Sequence, residues 1–256
     1  MKYGLDSRQI AEAAGLLVEA RRSGRRLEAL PPSLQPQSVR EAHAIQDAVT
    51  RALGERGGGW KASEPPESEV QRGVLFARLI FLSPARVPAE LAPLLGVEAE
   101  IAFRLSADLP AREKDYAREE VARAVVALPA IEVVDSRFAD FTKRTSFERL
   151  ADHGLNGAFI AGAGVPGWRA LELAHLRVTL TMGGRTIVDH VGGHPTGDPL
   201  GTAVAFVNAM RTAGGLRQGE LVTTGSCTGM NFAKPGDEVR AQFEGLGDAA
   251  VTFEAA

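Results

Sequence analysis

Two helical patterns open the chain. Ile10, Ala13, Ala14 and Leu17 recur at helical spacing behind Asp6, a good N-cap, and Gly24 predicts the stop. Ser38, with Glu41 three residues on, reads as a capping box before a second helix, carried by Ala42, Ile45, Val49 and Ala52 and closed by Gly54. A proline-rich stretch, 30–37, links the two. Beyond residue 70 the period shortens. Val97, Ala99, Ile101 and Phe103 alternate along 97–105 as one face of a strand. Residues 115–128 read as a helix stopped by Pro129, and 130–134 as a buried strand. Residues 176–182 and 185–190, joined by Gly183-Gly184, predict a hairpin. Asp198-Pro199 supplies an N-cap and an N1 proline before a helix through Met210. Three strands are expected over 220–254, turning at Pro235-Gly236 and at 245–248. Strands dominate the last two thirds without regular strand–helix alternation. The expectation is an α+β fold: a mixed β-roll or β-sandwich body over 71–256, with a helical segment, 1–70, packed on it.

Composition narrows the function. At 256 residues and 45% hydrophobic content the chain can bury a core without a metal or disulfide. A net charge of -3 gives no basic footprint, which argues against nucleic acid as the main partner. Cys227 is the single cysteine, which rules out an internal disulfide and fits a reducing compartment. The opening residues lack a basic start followed by an apolar core, and the longest apolar stretches, such as 124–131, fall short of a membrane span. A soluble cytoplasmic protein without a membrane partner is expected.

The carboxylates carry the chemistry. Glu98 and Glu100, two apart on a strand, project from the same face, as glutamates on a solvated strand also do. Glu132 is different, because nearly everything else over 124–134 is apolar. A buried carboxylate without a partner costs about 3–5 kcal/mol. It must be protonated, paired with a base such as Arg137, or bound to a metal. Three converging carboxylates repel one another unless a dication intervenes. All-oxygen ligation suits Mg²⁺, Mn²⁺ or Ca²⁺ rather than zinc, and three protein ligands leave an octahedral ion room for water and substrate.

At these residues the chain becomes recognisable. Residues 96–103, Gly-Val-Glu-Ala-Glu-Ile-Ala-Phe, and 128–137, Leu-Pro-Ala-Ile-Glu-Val-Val-Asp-Ser-Arg, resemble the 2-hydroxypenta-2,4-dienoate hydratase and 4-oxalocrotonate decarboxylase family of the fumarylacetoacetate hydrolase superfamily. Further matches are Trp60-Lys61-Ala62-Ser63, residues 73–77, Gly192-Gly193-His194-Pro195 with Pro199-Leu200, and Thr223-Thr224-Gly225-Ser226 leading to Lys234-Pro235-Gly236-Asp237. The resemblance implies a β-roll fold and a Mg²⁺ or Mn²⁺ ion held by Glu98, Glu100 and Glu132. It implies a small 2-oxo or 2-hydroxydienoate carboxylate as substrate, and a homo-oligomer. Lys61, Asn156 and His153 are the candidate catalytic residues, and Lys61, Ser63, Leu75 and Ser226 the candidate substrate contacts. Glutamate at 132, where the superfamily's hydrolases commonly carry aspartate, favours the hydratase and decarboxylase branch. The leading expectation is hydration of a 2-hydroxy-2,4-dienoate in aromatic-compound catabolism. A 4-oxalocrotonate-type decarboxylase, an acylpyruvate hydrolase, or a non-catalytic subunit complexed with a related pathway enzyme are the alternatives.

One position departs from the family pattern. Several hydratases have an acid directly after the Leu-Phe-Ala stretch, where this chain has Arg78. His153 is the candidate to replace that acid as proton carrier, although an exposed helix-terminal histidine explains it equally well. Lys61 follows Gly57-Gly58-Gly59-Trp60, read as a mobile loop. As an ammonium it binds a carboxylate; with a lowered pKa it moves protons. Asn156 reads either as a holder of water or the substrate's far end or as a turn residue, and Ser226 as a hydrogen-bond partner at a strand end. His190 and His194 have helical zinc spacing, but Gly192, Gly193 and Pro195 oppose a helix there. Residues 225–229 are not a nucleophile elbow, since Ser226 directly follows the first glycine. Cys227 reads as a small buried residue, and the arginines at 21, 22, 25 and 26 as a solvated helix end.

Overall fold

The computed structural model describes residues 4–63 and 69–255. Residues 1–3, 64–68 and 256 lie outside the described residues, so the stretch just before the expected boundary at 70 is not covered. In chain order the elements are α1 (Ser7–Ser23), α2 (Val39–Leu53), β1 (Gly57–Ser63), β2 (Gln71–Phe76), β3 (Ile80–Leu82), β4 (Ala85–Pro88), β5 (Gly96–Leu105), β6 (Leu109–Pro110) and α3 (Arg118–Ala124). They continue with β7 (Val125–Val134), α4 (Ser146–Ala151), β8 (Asn156–Ala161), β9 (Arg177–Met182), β10 (Arg185–Val191), α5 (Pro199–Met210), β11 (Gly215–Leu216), β12 (Leu221–Ser226), β13 (Asn231–Phe232), β14 (Glu238–Phe243) and β15 (Gly247–Glu254).

The large sheet runs β2-β1-β12-β5-β7-β8-β3, with β13 beside β5, and a five-stranded sheet, β10-β9-β14-β15-β4, packs across it. Both sheets are mixed, since β1–β12, β3–β8 and β4–β15 are parallel pairs. The α+β body with an N-terminal helical segment is therefore the observed architecture. Its main core lies between the sheets, where Val97, Ala99, Ile101 and Phe103 of β5 meet Val239, Ala241 and Val251. The other face of β5 carries Glu98, Glu100 and Ala102. Ala102 joins Leu75, Leu128, Ala130, Phe159 and Leu221 in a small apolar floor on that side.

The helices follow their caps. The side chain of Asp6 accepts from Gln9 N, and Gly24 ends α1 in the left-handed conformation. Ser38 caps α2, but Glu41 does not close the expected box; its carboxylate accepts from Leu5 N and Gln37 N instead. The inward stripe of α2 contains Gln46, fully buried, while Ala52 is exposed. Gln46 and His43 have a reason to face inward. They bond the backbone of Arg72 on the edge strand β2, covering groups that would otherwise be left open.

Three expectations change. The glycine-rich stretch is no loop: it is β1, a strand of the large sheet, so the strand body begins well before residue 71. Gly59 makes this possible, because a Cβ there would stand 2.7 Å from Leu221 O across the β1–β12 pair. The helix expected over 115–128 is short, because Val125 and Val126 enter β7 opposite Leu105 and Arg104. Pro129 lies inside that strand rather than ending a helix. Pairing with β8 starts only at Ala130, so a residue without an N–H is tolerated there.

Candidate active site

Register builds the site. Residues directly paired across a sheet share a face. Glu98 pairs with Glu132, Glu100 with Ala130, and Ser226 with Glu100. Lys61 pairs with Thr223, which in turn pairs with Ala102. One face of four neighbouring strands thus presents Lys61, Thr223, Glu100, Glu98 and Glu132 together. Oxygens of the three glutamates lie within 4.8 Å of one another.

Each acid is held differently. Glu132 is fully buried; Asn156 Nδ2 donates to its Oε1 at 3.0 Å, and Lys61 Nζ stands 2.7 Å from its Oε2. Glu100 is buried and accepts from the Thr223 hydroxyl. Glu98 is partly exposed. Burial raises the Glu100 carboxyl to about 8, reinforced by Glu132 and then Glu98, against Lys61 and Thr223. Glu98 is also raised, by burial first and then by Glu132. Burial pulls Lys61 down, but Glu132, Glu98 and Glu100 outweigh it and the ammonium is held more firmly than usual. Lys61 Nζ also donates to Gly154 O at 2.7 Å. That carbonyl is aimed by His153, Gly154 and Leu155, all with positive φ, of which the two non-glycines each cost about 1–2 kcal/mol.

The donor set fits a hard dication. Among the described residues the buried Oε2 of Glu132 accepts no aligned hydrogen bond, despite the nearby ammonium. One ammonium does not balance three acids, and all the available donors are carboxylate oxygens. Glu98, Glu100 and Glu132 would hold such an ion.

Beside the glutamates opens a cleft of about 330 Å³. Lys61, Ser63, Glu98, Glu100 and Ser226 line it, as do Thr223, Ser146 and Arg149, which the sequence reading missed. Other expected residues lie elsewhere. The His153 ring is buried against Phe76, 4.9 Å between centroids, with Nε2 3.2 Å from Thr50 Oγ1, and does not line the cleft. Burial, then Arg21, Arg137 and Arg72, hold it well below the ordinary histidine range, so it is neither exposed nor a proton carrier for this cleft. The Leu75 side chain is fully buried in the apolar floor. Asn156 touches Glu132 rather than the cleft. Arg78 pairs with Glu55 outside it. Arg137, the rival partner for Glu132, is taken by Asp152 at 2.5 Å. Cys227 is buried, its thiol pushed up to about 12, and is no nucleophile.

Comparison with known proteins gives the family. Residues 62–254 match the family described as fumarylacetoacetate (FAA) hydrolase C-terminal. A 2-keto-4-pentenoate hydratase of Burkholderia vietnamiensis is 32% identical over 262 residues, covering 97% of this chain and 98% of the relative. One from Paraburkholderia xenovorans is 30% identical over 259 residues, 96% and 95%. A 2-hydroxyhexa-2,4-dienoate hydratase of Comamonas testosteroni is 28% identical, 97% and 99%. Among solved structures, the 4-oxalocrotonate decarboxylase of Pseudomonas putida G7, complexed with magnesium and adipate, superposes with a TM-score of 0.84 at 20% identity, over 98% of this chain and 100% of that one. The same enzyme with calcium and acetate gives 0.83. No helix among the described residues is long and apolar enough to cross a membrane.

Proposed function

The chain belongs to the 2-hydroxypenta-2,4-dienoate hydratase and 4-oxalocrotonate decarboxylase family of the fumarylacetoacetate hydrolase superfamily, and we propose that it is a hydro-lyase using Mg²⁺ or Mn²⁺ to add water to a 2-hydroxy-2,4-dienoate. The observation that carries this reading is the convergence of Glu98, Glu100 and Glu132 beside an open cleft. The sequence relatives at 30–32% identity that match along nearly their whole length are named hydratases.

Bound there, a dication supplies Lewis-acid polarisation of the substrate's 2-oxygen. The protein's own residues do the rest. Asn156 and Thr223 orient Glu132 and Glu100. Lys61, kept cationic, holds the C1 carboxylate rather than removing a proton. Ser63 and Ser226 offer hydroxyls to the substrate along the cleft. The 2-hydroxyl loses its proton, C5 gains one, and water then adds its oxygen to C4 and a proton to C3, giving a 4-hydroxy-2-oxo acid. With His153 turned away and Arg78 outside, water entering the open cleft carries these protons. Assembly into a homo-oligomer in the cytoplasm, alone or with a related pathway enzyme, is part of the same reading, and light scattering of the purified protein measures it.

The test is turnover of 2-hydroxypenta-2,4-dienoate, followed by ultraviolet loss with Mg²⁺, with Mn²⁺ and with chelator. Glu132→Gln should abolish the metal-dependent rate. Persistence of the rate with unchanged metal affinity would show that the ligand set is wrong. Carbon dioxide release from 2-oxohex-3-enedioate without hydration of the dienoate would move the activity to the decarboxylase.

A further inference from the structure

We propose that a second cavity, separate from the catalytic cleft, takes a phosphate group, free or carried by a small molecule, through Arg21 and Arg22. The cavity, of about 430 Å³, opens beside the end of α1 and shares no lining residue with the cleft. Five arginines line it, Arg21, Arg22, Arg26, Arg78 and Arg137, against two acids, Glu90 and Asp135. Arginines at a helix end are ordinarily solvated. Arg25 fits that description, with its side chain 82% exposed, but Arg21 is turned inward and only 11% exposed.

Three of the five arginines are already engaged. Arg137 Nε donates to Asp152 at 2.5 Å, and its Nη2 donates to the carbonyls of Asp152 and Asn156. Arg26 Nη2 donates to Asp135 at 2.8 Å, and Arg78 pairs with Glu55. Arg22 meets only a neutral group, Ala52 O, at 3.1 Å. Arg21 has less still. Among the described residues its guanidinium makes no hydrogen bond, and its Nε and Nη2 are buried without a partner. Asp152 lies 3.7 Å from Nη2, but both its oxygens accept from Arg137. Two cations are thus left facing one exposed acid, Glu90. Burial, then Arg137, pull Arg21 down to about 9, which still leaves it charged near neutrality. A buried guanidinium neither paired nor hydrogen-bonded is costly, and an anion in the cavity removes the deficit. Arg21 and Arg22, adjacent on a helix, leave its axis about 100° apart, so they reach a ligand from different directions. That suits the tetrahedral spread of phosphate oxygens better than the flat fork of one carboxylate.

The test is calorimetric titration of chelator-treated protein with inorganic phosphate and with glycerol 3-phosphate, at an ionic strength held constant with chloride. Removing divalent ions keeps phosphate from being drawn to the glutamates. One site should appear, with a dissociation constant of about 1 mM or tighter. Arg21→Gln should weaken it at least about tenfold. Arg22→Gln, at an exposed position where folding is not at stake, should weaken it about threefold or more. Lys61→Met, in the catalytic cleft, should leave it unchanged. Tighter binding of glycerol 3-phosphate assigns the site to a phosphate monoester, and tighter binding of inorganic phosphate assigns it to the free ion. Absence of a saturable site, binding that survives both arginine variants, or binding lost in a folded Lys61→Met overturns the proposal.

Discussion

Glu98 and Glu132 are direct partners across the β5–β7 ladder, so two carboxylates face each other at the closest lateral spacing a sheet offers. Like charges in that position are destabilising, and burial and then the crowding of that face hold the proton of Glu100 up to about 8. The arrangement costs stability unless something positive joins it, and the ways of supplying that charge give measurable consequences.

Asn156 holds Glu132 in place from outside the cleft. Asn156→Ala should weaken Mg²⁺ binding by about 10–100-fold while leaving most of kcat at saturating metal. Calorimetric titration and rates measured across metal concentrations separate the two effects. A fall in kcat with unchanged metal affinity would instead place Asn156 against the substrate.

Lys61 should behave in the opposite way. Lys61→Met removes the ammonium beside Glu132, so Mg²⁺ should bind at least as tightly as in the wild type. The kcat/KM should fall by at least about 30-fold, mainly through KM, because the substrate carboxylate loses its charged partner. Loss of metal binding in a folded variant would contradict the assignment.

Acidity sets a third expectation. In the unfolded chain a glutamate ionises near 4.5, whereas in the fold Glu100 keeps its proton up to about 8. Below 4.5 both states are protonated. Between the two values the unfolded state alone has released its proton, so stability falls as pH rises. The melting temperature of chelator-treated protein should decline between about pH 4.5 and 8 relative to the same protein with Mg²⁺, and Mg²⁺ affinity should climb to a plateau near 8. A metal-induced shift that is flat over this range would refute the linkage.

Gly59 tests the strand that replaced the expected loop, with Gly15 of α1 as the contrast. Gly59→Ala should destabilise by about 1–3 kcal/mol, because its Cβ would press on Leu221 O at 2.7 Å. Gly15→Ala in α1 meets nothing within 4 Å and should stabilise by about 0.5–1 kcal/mol. Urea unfolding of both variants measures the contrast.

The legible features were those with local causes. Asp6, Gly24, Ser38 and Gly54 mark helix ends through their own backbone chemistry, and Gly183-Gly184 marks the hairpin turn with positive φ at both positions. The glutamates were legible because a strand period and an apolar run are visible in one dimension. Features made by tertiary pairing were hidden. Triple glycine has little strand propensity, and β1 exists because β2 and β12 flank it. Val125 was assigned to a helix by its neighbours and to a strand by β5. The buried place of Gln46 is not visible in the apolar pattern of its helix, because it is set by two carbonyls its amide binds, Arg72 O on the edge of β2 and Leu150 O on α4. Arg149 gave no pattern at all, since a helix of six residues displays no periodicity to read.

Lys61 also bears on the order of assembly. A tethered cation beside Glu132 partly offsets the repulsion that would otherwise oppose bringing β5 and β7 together, and Glu100 keeps its proton near neutrality. The newly made chain can therefore close its sheet first and acquire its ion afterwards, so scarcity of metal would leave an intact, dormant protein waiting to be loaded rather than a misfolded one.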